Sequence, residues 1–105
     1  MPISNPSPTF SNTETVSTQA PQISNSLSTT ASVLVASNSN RKGLTFFNSS
    51  DKTIYVDFSN SVTTSDYAFK LAPDAYYEMP QPIYTGAFHA ILSTGTASIE
   101  VREFS

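Results

Sequence analysis

From Ser32 onward, apolar and polar residues alternate in short runs separated by clusters of Ser, Asn, Asp, Gly and Pro. A period of two bounded by turn residues is the signature of half-buried β-strands. "SVLVA" (32–36) and "GLTFFN" (43–48) are rich in β-branched and aromatic residues. In "TIYVDF" (53–58), Ile54, Val56 and Phe58 share one face, with Tyr55 and Asp57 on the other. In "YAFKL" (67–71), Tyr67, Phe69 and Leu71 oppose Ala68 and Lys70. In "YYEM" (76–79), Tyr77 and Met79 oppose Tyr76 and Glu78. "AFHAIL" (87–92) is apolar on both faces apart from His89, the pattern of a central strand. "ASIEVREF" (97–104) turns Ile99 and Val101 inward and Glu100 and Arg102 outward. Six or seven short strands without a helical pattern predict an all-β fold, a small antiparallel β-sandwich or barrel.

The first residues read differently. Residues 1–31 are dominated by Ser, Thr, Asn and Gln, carry Glu14 as their one charge, and are punctuated by Pro2, Pro6, Pro8 and Pro21. Proline at that density excludes helix and interior strand. Ile3, Phe10, Val16, Ile23 and Leu27 stand singly at intervals of four to seven residues, neither helical nor alternating. Such a composition fits a tail that buries too little apolar area to order itself. It also fits an extended arm that drops single side chains into pockets of another protein. The expected organisation is an arm over 1–31 and a β-sandwich over 32–105.

Composition narrows the function. With 5 Lys and Arg against 8 Asp and Glu, the net charge is −3. No basic stripe exists to neutralise phosphates, so neither nucleic acid nor an anionic membrane surface is an expected partner. No run approaches the roughly 20 apolar residues of a membrane span. "MPISNPSPTF" lacks the basic and apolar regions of a secretion signal, so synthesis in a cytoplasm is expected. The absence of cysteine removes disulfides, thiolate ligands and cysteine nucleophiles together.

The residues that carry chemistry are sparse. His89 is the single histidine and sits between apolar neighbours, which favours a packed structural role over a general base. Serine is so abundant that a Ser-His-Asp set cannot be singled out. One histidine without cysteine makes a poor transition-metal set. Asp51, Asp57, Asp66 and Asp74 are in or beside turns, but none falls in the spaced acidic loop that calcium prefers. The three glycines build no phosphate-cradling loop. No catalytic residue, metal or cofactor is therefore expected.

The aromatic residues offer more. Of 7 Phe and 5 Tyr, all but Phe10 fall after residue 45. A module of about 65 residues hides only some 60 % of its chain surface, and without disulfides it gains most from association. In "APDAYYEMPQPIYTGAF" (72–88), Tyr76 and Tyr84 lie beside Pro80 and Pro82, which stiffen the segment and lower the entropy lost on docking. These four residues are the expected docking edge. Tyr77 is expected to close the core.

Residues 41–101, "RKGLTFFNSSDKTIYVDF…AILSTGTASIEV", resemble a small β module that recurs among structural proteins of tailed-phage virions. The steps occur in order: R-x-x-L-x-x-x-N, a short I-Y-V strand, an S-x-Y-x-x-x-L-A-P step, Y-Y-E-x-P, I-Y-T-G and an alternating closing strand. Asp74 stands where that module carries glycine. The resemblance implies a virion component. Joined to the arm, it is most like a capsid decoration or cement protein, found on the outer surface of the shell and made in the host cytoplasm. The major capsid protein would be its partner, and the protein itself a dimer or trimer. The alternative is a tail, neck or fibre module that recognises a host surface or glycan.

Overall fold

The computed structural model describes residues 16–105, so Ile3 and Phe10 lie outside the described residues. The described residues form eight strands: β1 (Gln22–Leu27), β2 (Ser32–Val35), β3 (Gly43–Phe47), β4 (Ile54–Asp57), β5 (Phe69–Leu71), β6 (Tyr76–Glu78), β7 (Phe88–Leu92) and β8 (Ala97–Phe104). They form two four-stranded antiparallel sheets, in the orders β1-β8-β3-β6 and β2-β7-β4-β5. The sheets bury a shared core that includes Leu34, Leu44, Phe46, Ile54, Val56, Phe88, Leu92, Ile99 and Val101. The expected β-sandwich is therefore the observed architecture. The apolar β7 is interior to its sheet, between β2 and β4.

The strand the hydrophobic pattern did not predict is β1. Its register with β8 runs from Gln22↔Arg102 to Leu27↔Ala97. Leu27 is fully buried and Ile23 packs against the core. The division expected at residue 31 accordingly moves toward the N-terminus. The chain is already tied down at Thr18 and Gln19, whose N–H groups donate to the Ser105 carbonyl, and the Ser105 N–H donates back to Gln19.

Two smaller expectations also change. Phe58 falls beyond the end of β4 and is part exposed rather than in the core row of Ile54 and Val56. Tyr67 precedes β5, and its ring packs on Tyr55, on the outer face of that sheet, at 4.9 Å between centroids.

Two buried polar residues flank β3. Arg41, 4 % exposed, donates Nε to Glu103 Oε2 at 2.7 Å, Nη1 to the carbonyls of Tyr84 and Gly86 at 2.8 Å, and Nη2 to that of Ala36 at 2.7 Å. Its guanidinium also lies 5.5 Å from the Phe88 ring centre. Asn48 is fully buried. It donates Nδ2 to the carbonyls of Lys52 and Leu71, and its Oδ1 accepts from the Ser50 N–H and hydroxyl. Its backbone N–H donates to Ala75, and its carbonyl accepts from the Asp74 N–H. Asp74 has φ +68°. That left-handed turn is where glycine costs least, and aspartate is among the few other residues that visit it readily.

Candidate functional site

The short edge strand β6 places Tyr76 and Glu78 outward, because Tyr77 between them turns inward. Tyr77 stacks on Phe69 at 4.2 Å and on Phe46 at 5.5 Å between ring centres, which is the core-closing role expected of it. Burial pushes the Tyr77 hydroxyl above its usual pKa by penalising the phenolate.

Tyr76 is 60 % exposed and pairs across the strands with Phe47, itself 38 % exposed. The pair forms an aromatic patch on the outer face of the β1-β8-β3-β6 sheet. Beyond β6, Pro80 and Pro82 are both exposed, and the Gln81–Pro82 peptide is cis. Beside Tyr76 lies a groove of about 260 Å³ lined in part by Lys42, Thr45, Glu78, Gln81 and Ile83. Among the described residues, the side chains of Lys42, Thr45, Glu78 and Gln81 make no internal hydrogen bond.

Tyr84 is placed differently from Tyr76. Its ring packs edge-on against Phe58 at 4.8 Å and Phe88 at 5.5 Å, and its hydroxyl donates to the Ala87 carbonyl at 3.2 Å. Gly86 lies directly beneath that ring, where a Cβ would collide with it. Tyr84 therefore caps one end of the sandwich, with a partly exposed edge. The expected docking edge of Tyr76, Tyr84, Pro80 and Pro82 resolves into a freely projecting Tyr76 with its prolines and a Tyr84 that is still 38 % exposed while its ring packs on Phe58 and Phe88.

The expected arm residues divide similarly. Val16 is 59 % exposed, whereas Ile23 and Leu27 serve the protein's own sandwich. Leu27 cannot be an interface residue in this fold, since none of its surface is accessible.

His89 is half-buried on the outer face of the β2-β7-β4-β5 sheet, in register with Val33 on one side and Asp57 on the other. Its Nδ1 is buried without a hydrogen-bond partner among the described residues. Asp57 directs Oδ1 to the Phe58 N–H, and Asp51 lies 3.5 Å from Lys52 Nζ. Among the described residues, no three His, Asp or Glu side chains gather as they would around a metal ion.

Fold and surface together define a class: a small two-sheet antiparallel sandwich presenting a proline-flanked aromatic patch on one outer face. No protein-family model matches the chain, and no curated protein or solved structure matches it.

Proposed function

We propose that this protein is a structural component of a phage virion that decorates the mature capsid, its sandwich seated on the shell and its N-terminal segment reaching a neighbouring capsid subunit. The carrying observation is Tyr76, 60 % exposed beside Phe47 on an edge strand that is followed by Pro80 and Pro82. A buried ring with a hydroxyl that finds a partner is a favourable interface anchor, and the prolines limit the entropy lost on docking. The order of motifs over residues 41–101 supports the virion setting. Val16, 59 % exposed, supports the reading as a residue open to contact with a partner.

The mechanism is thermodynamic linkage. A protein that binds the expanded lattice and not its precursor adds its binding free energy to the stability of the expanded state. Repetition over the shell lets individually weak contacts suffice.

A second reading, recognition of a host-surface glycan by a tail or fibre component, is favoured by the groove beside Tyr76. Its free Lys42, Thr45, Glu78 and Gln81 side chains would suit a hydroxyl-rich ligand next to a stacking ring. Quantitative mass spectrometry of purified particles separates the two. Decoration requires a copy number comparable with that of the major capsid protein, and a few copies per particle would overturn it in favour of the tail reading. Removing residues 2–15, which leaves β1 intact, should weaken binding to expanded shells while the thermal midpoint stays unchanged.

A further inference from the structure

The sandwich has four sheet edges, and three of them are blunted against further pairing. β5 and β6 are each three residues long. β5 carries Lys70, and Pro80 and Pro82 follow β6. β2 is interrupted by a register shift between Val33 and Val35. Short strands, lysine, proline and bulges are the devices that keep sheet edges from pairing with other chains. β1 has none of them within its span, and Pro21, which precedes it, falls in the alternate set that faces β8 rather than the free side. The strand runs for six residues, Gln22–Leu27, in regular register with β8, and contains neither charge nor proline.

The direction of its free backbone groups follows from the ladder. Gln19 and Ser105 exchange both N–H···O bonds. Antiparallel pairs alternate between bonded and non-bonded, and the register carries that alternation along the strand. Ile23, Asn25 and Leu27 therefore bond to β8, while the N–H and C=O groups of Gln22, Ser24 and Ser26 point away from it.

We infer that β1 is the interface of a two-fold dimer, in which the β1 strands of two copies pair antiparallel into one eight-stranded sheet. The outward set is its own complement. Centred on Ser24, it makes Gln22 face the partner's Ser26, Ser24 face its counterpart, and Ser26 face the partner's Gln22, each as a mutually bonded pair. A chain of net charge −3 brings no charge to this line. Beside it, between β1 and β2, lies an open groove of about 420 Å³ whose apolar wall is Ile23, Val33, Val35 and Ala36, with Val33 50 % exposed, and whose remaining lining is Ser37, Asn38 and the Arg41-paired Glu103. The dimer sets this apolar strip beside the two-fold axis and shields it. Residues 1–15 of the same chain are a poorer occupant of the edge, because Pro2, Pro6 and Pro8 cannot donate to a ladder. An edge about 20 Å long with its groove is near the lower limit of about 1,000 Å² for a specific interface. The dimer is thus concentration-dependent. The inference does not depend on where the protein acts.

Sedimentation equilibrium of the full chain should show a reversible monomer–dimer system. Ser24→Pro removes an N–H that β8 does not use and blocks the central pair, so it should yield a monomer with an unchanged far-UV circular dichroism spectrum. Ser24→Lys leaves every backbone group in place but sets two like charges opposite each other, and should raise the dissociation constant at least tenfold at low salt. The second variant carries the test if the first does not fold. A monomeric wild type at high micromolar concentration, a trimer, or a dimer unaffected by Ser24→Lys would each overturn the inference.

Discussion

The two ends of β3 face the same packing problem and solve it with different chemistry. At each end several loops converge and leave carbonyl groups aimed toward a buried side chain. At the start of the strand the acceptors are three carbonyls and the Glu103 carboxylate, and Arg41 meets all four. At its end there are two carbonyls together with the Ser50 N–H and hydroxyl, and Asn48 meets them with its amide donors and its oxygen. The guanidinium supplies up to five donors in a rigid fork and no acceptor, whereas the amide supplies both kinds. The number and type of orphaned groups thus dictate the residue. The charged solution then needs a counter-charge, which Glu103 on β8 provides at 2.7 Å.

The largest expected effect tests the charged end. Arg41→Met should destabilise the protein by about 3–5 kcal/mol, because it strands a largely buried carboxylate as well as three carbonyls. Adding Glu103→Leu should recover part of that loss. Arg41→Lys should rescue little, since a single ammonium cannot span acceptors on three separate segments. Urea denaturation of the three variants checks the set. A loss below about 1 kcal/mol for Arg41→Met would mean that the clamp behaves as an exposed ion pair.

At the neutral end the expected loss is smaller. Asn48→Ala should cost about 2–3 kcal/mol, the penalty for leaving the Leu71 carbonyl and the Ser50 N–H without a buried partner and the Lys52 carbonyl with only the Ser50 hydroxyl at 3.4 Å. Asn48→Asp should be no better, since it keeps the acceptor but loses both donors and buries a charge. Equal losses at Arg41 and Asn48 would show that the counter-charge adds nothing beyond the hydrogen bonds, and would remove the distinction between the two ends.

The same comparison explains what could be read from the sequence. Strands β3 to β6 and β8 announced themselves through apolar residues at alternate positions, as in Ile54 and Val56 or Ile99 and Val101, and β2 and β7 through short, nearly continuous apolar runs. β1 did not. Along the sequence Asn25 separates Ile23 from Leu27, which broke the apolar alternation and left two apolar residues that resembled isolated pegs. Pairing with β8, seventy or more residues away, supplies what the local pattern lacks. Arg41 and Asn48 stood in plain view as the ends of R-x-x-L-x-x-x-N, but hydropathy assigns such residues to the surface. Their burial depends on loops distant in sequence. The aromatic patch was partly legible. Proline-flanked tyrosines marked the region, yet only the tertiary contacts separate exposed Tyr76 from Tyr84, whose ring is engaged by Phe58 and Phe88. Phe47, its partner in the patch, carried no local signal, because one of two consecutive phenylalanines must face outward and register decides which.

Between the two polar ends, the middle of β3 offers the smallest and most specific test. Phe46 there stacks on Tyr77, whose hydroxyl has its pKa raised by burial. The unfolded chain releases that proton near the ordinary value of 10.0, and the folded chain only at higher pH. Above about pH 10 the unfolded state therefore binds fewer protons than the native one, and stability falls as pH rises through this window. Below it Tyr77 contributes no slope. Tyr77→Phe keeps the stacked ring and removes the titrating group, so it should flatten the alkaline limb in a thermal-melt series while changing the neutral midpoint little. Arg41→Met and Asn48→Ala should lower the whole curve and leave that limb in place. If either of them flattened it instead, the middle of β3 would not be insulated from its ends, and the strand would have to be treated as one coupled unit rather than two clamps joined by an apolar span.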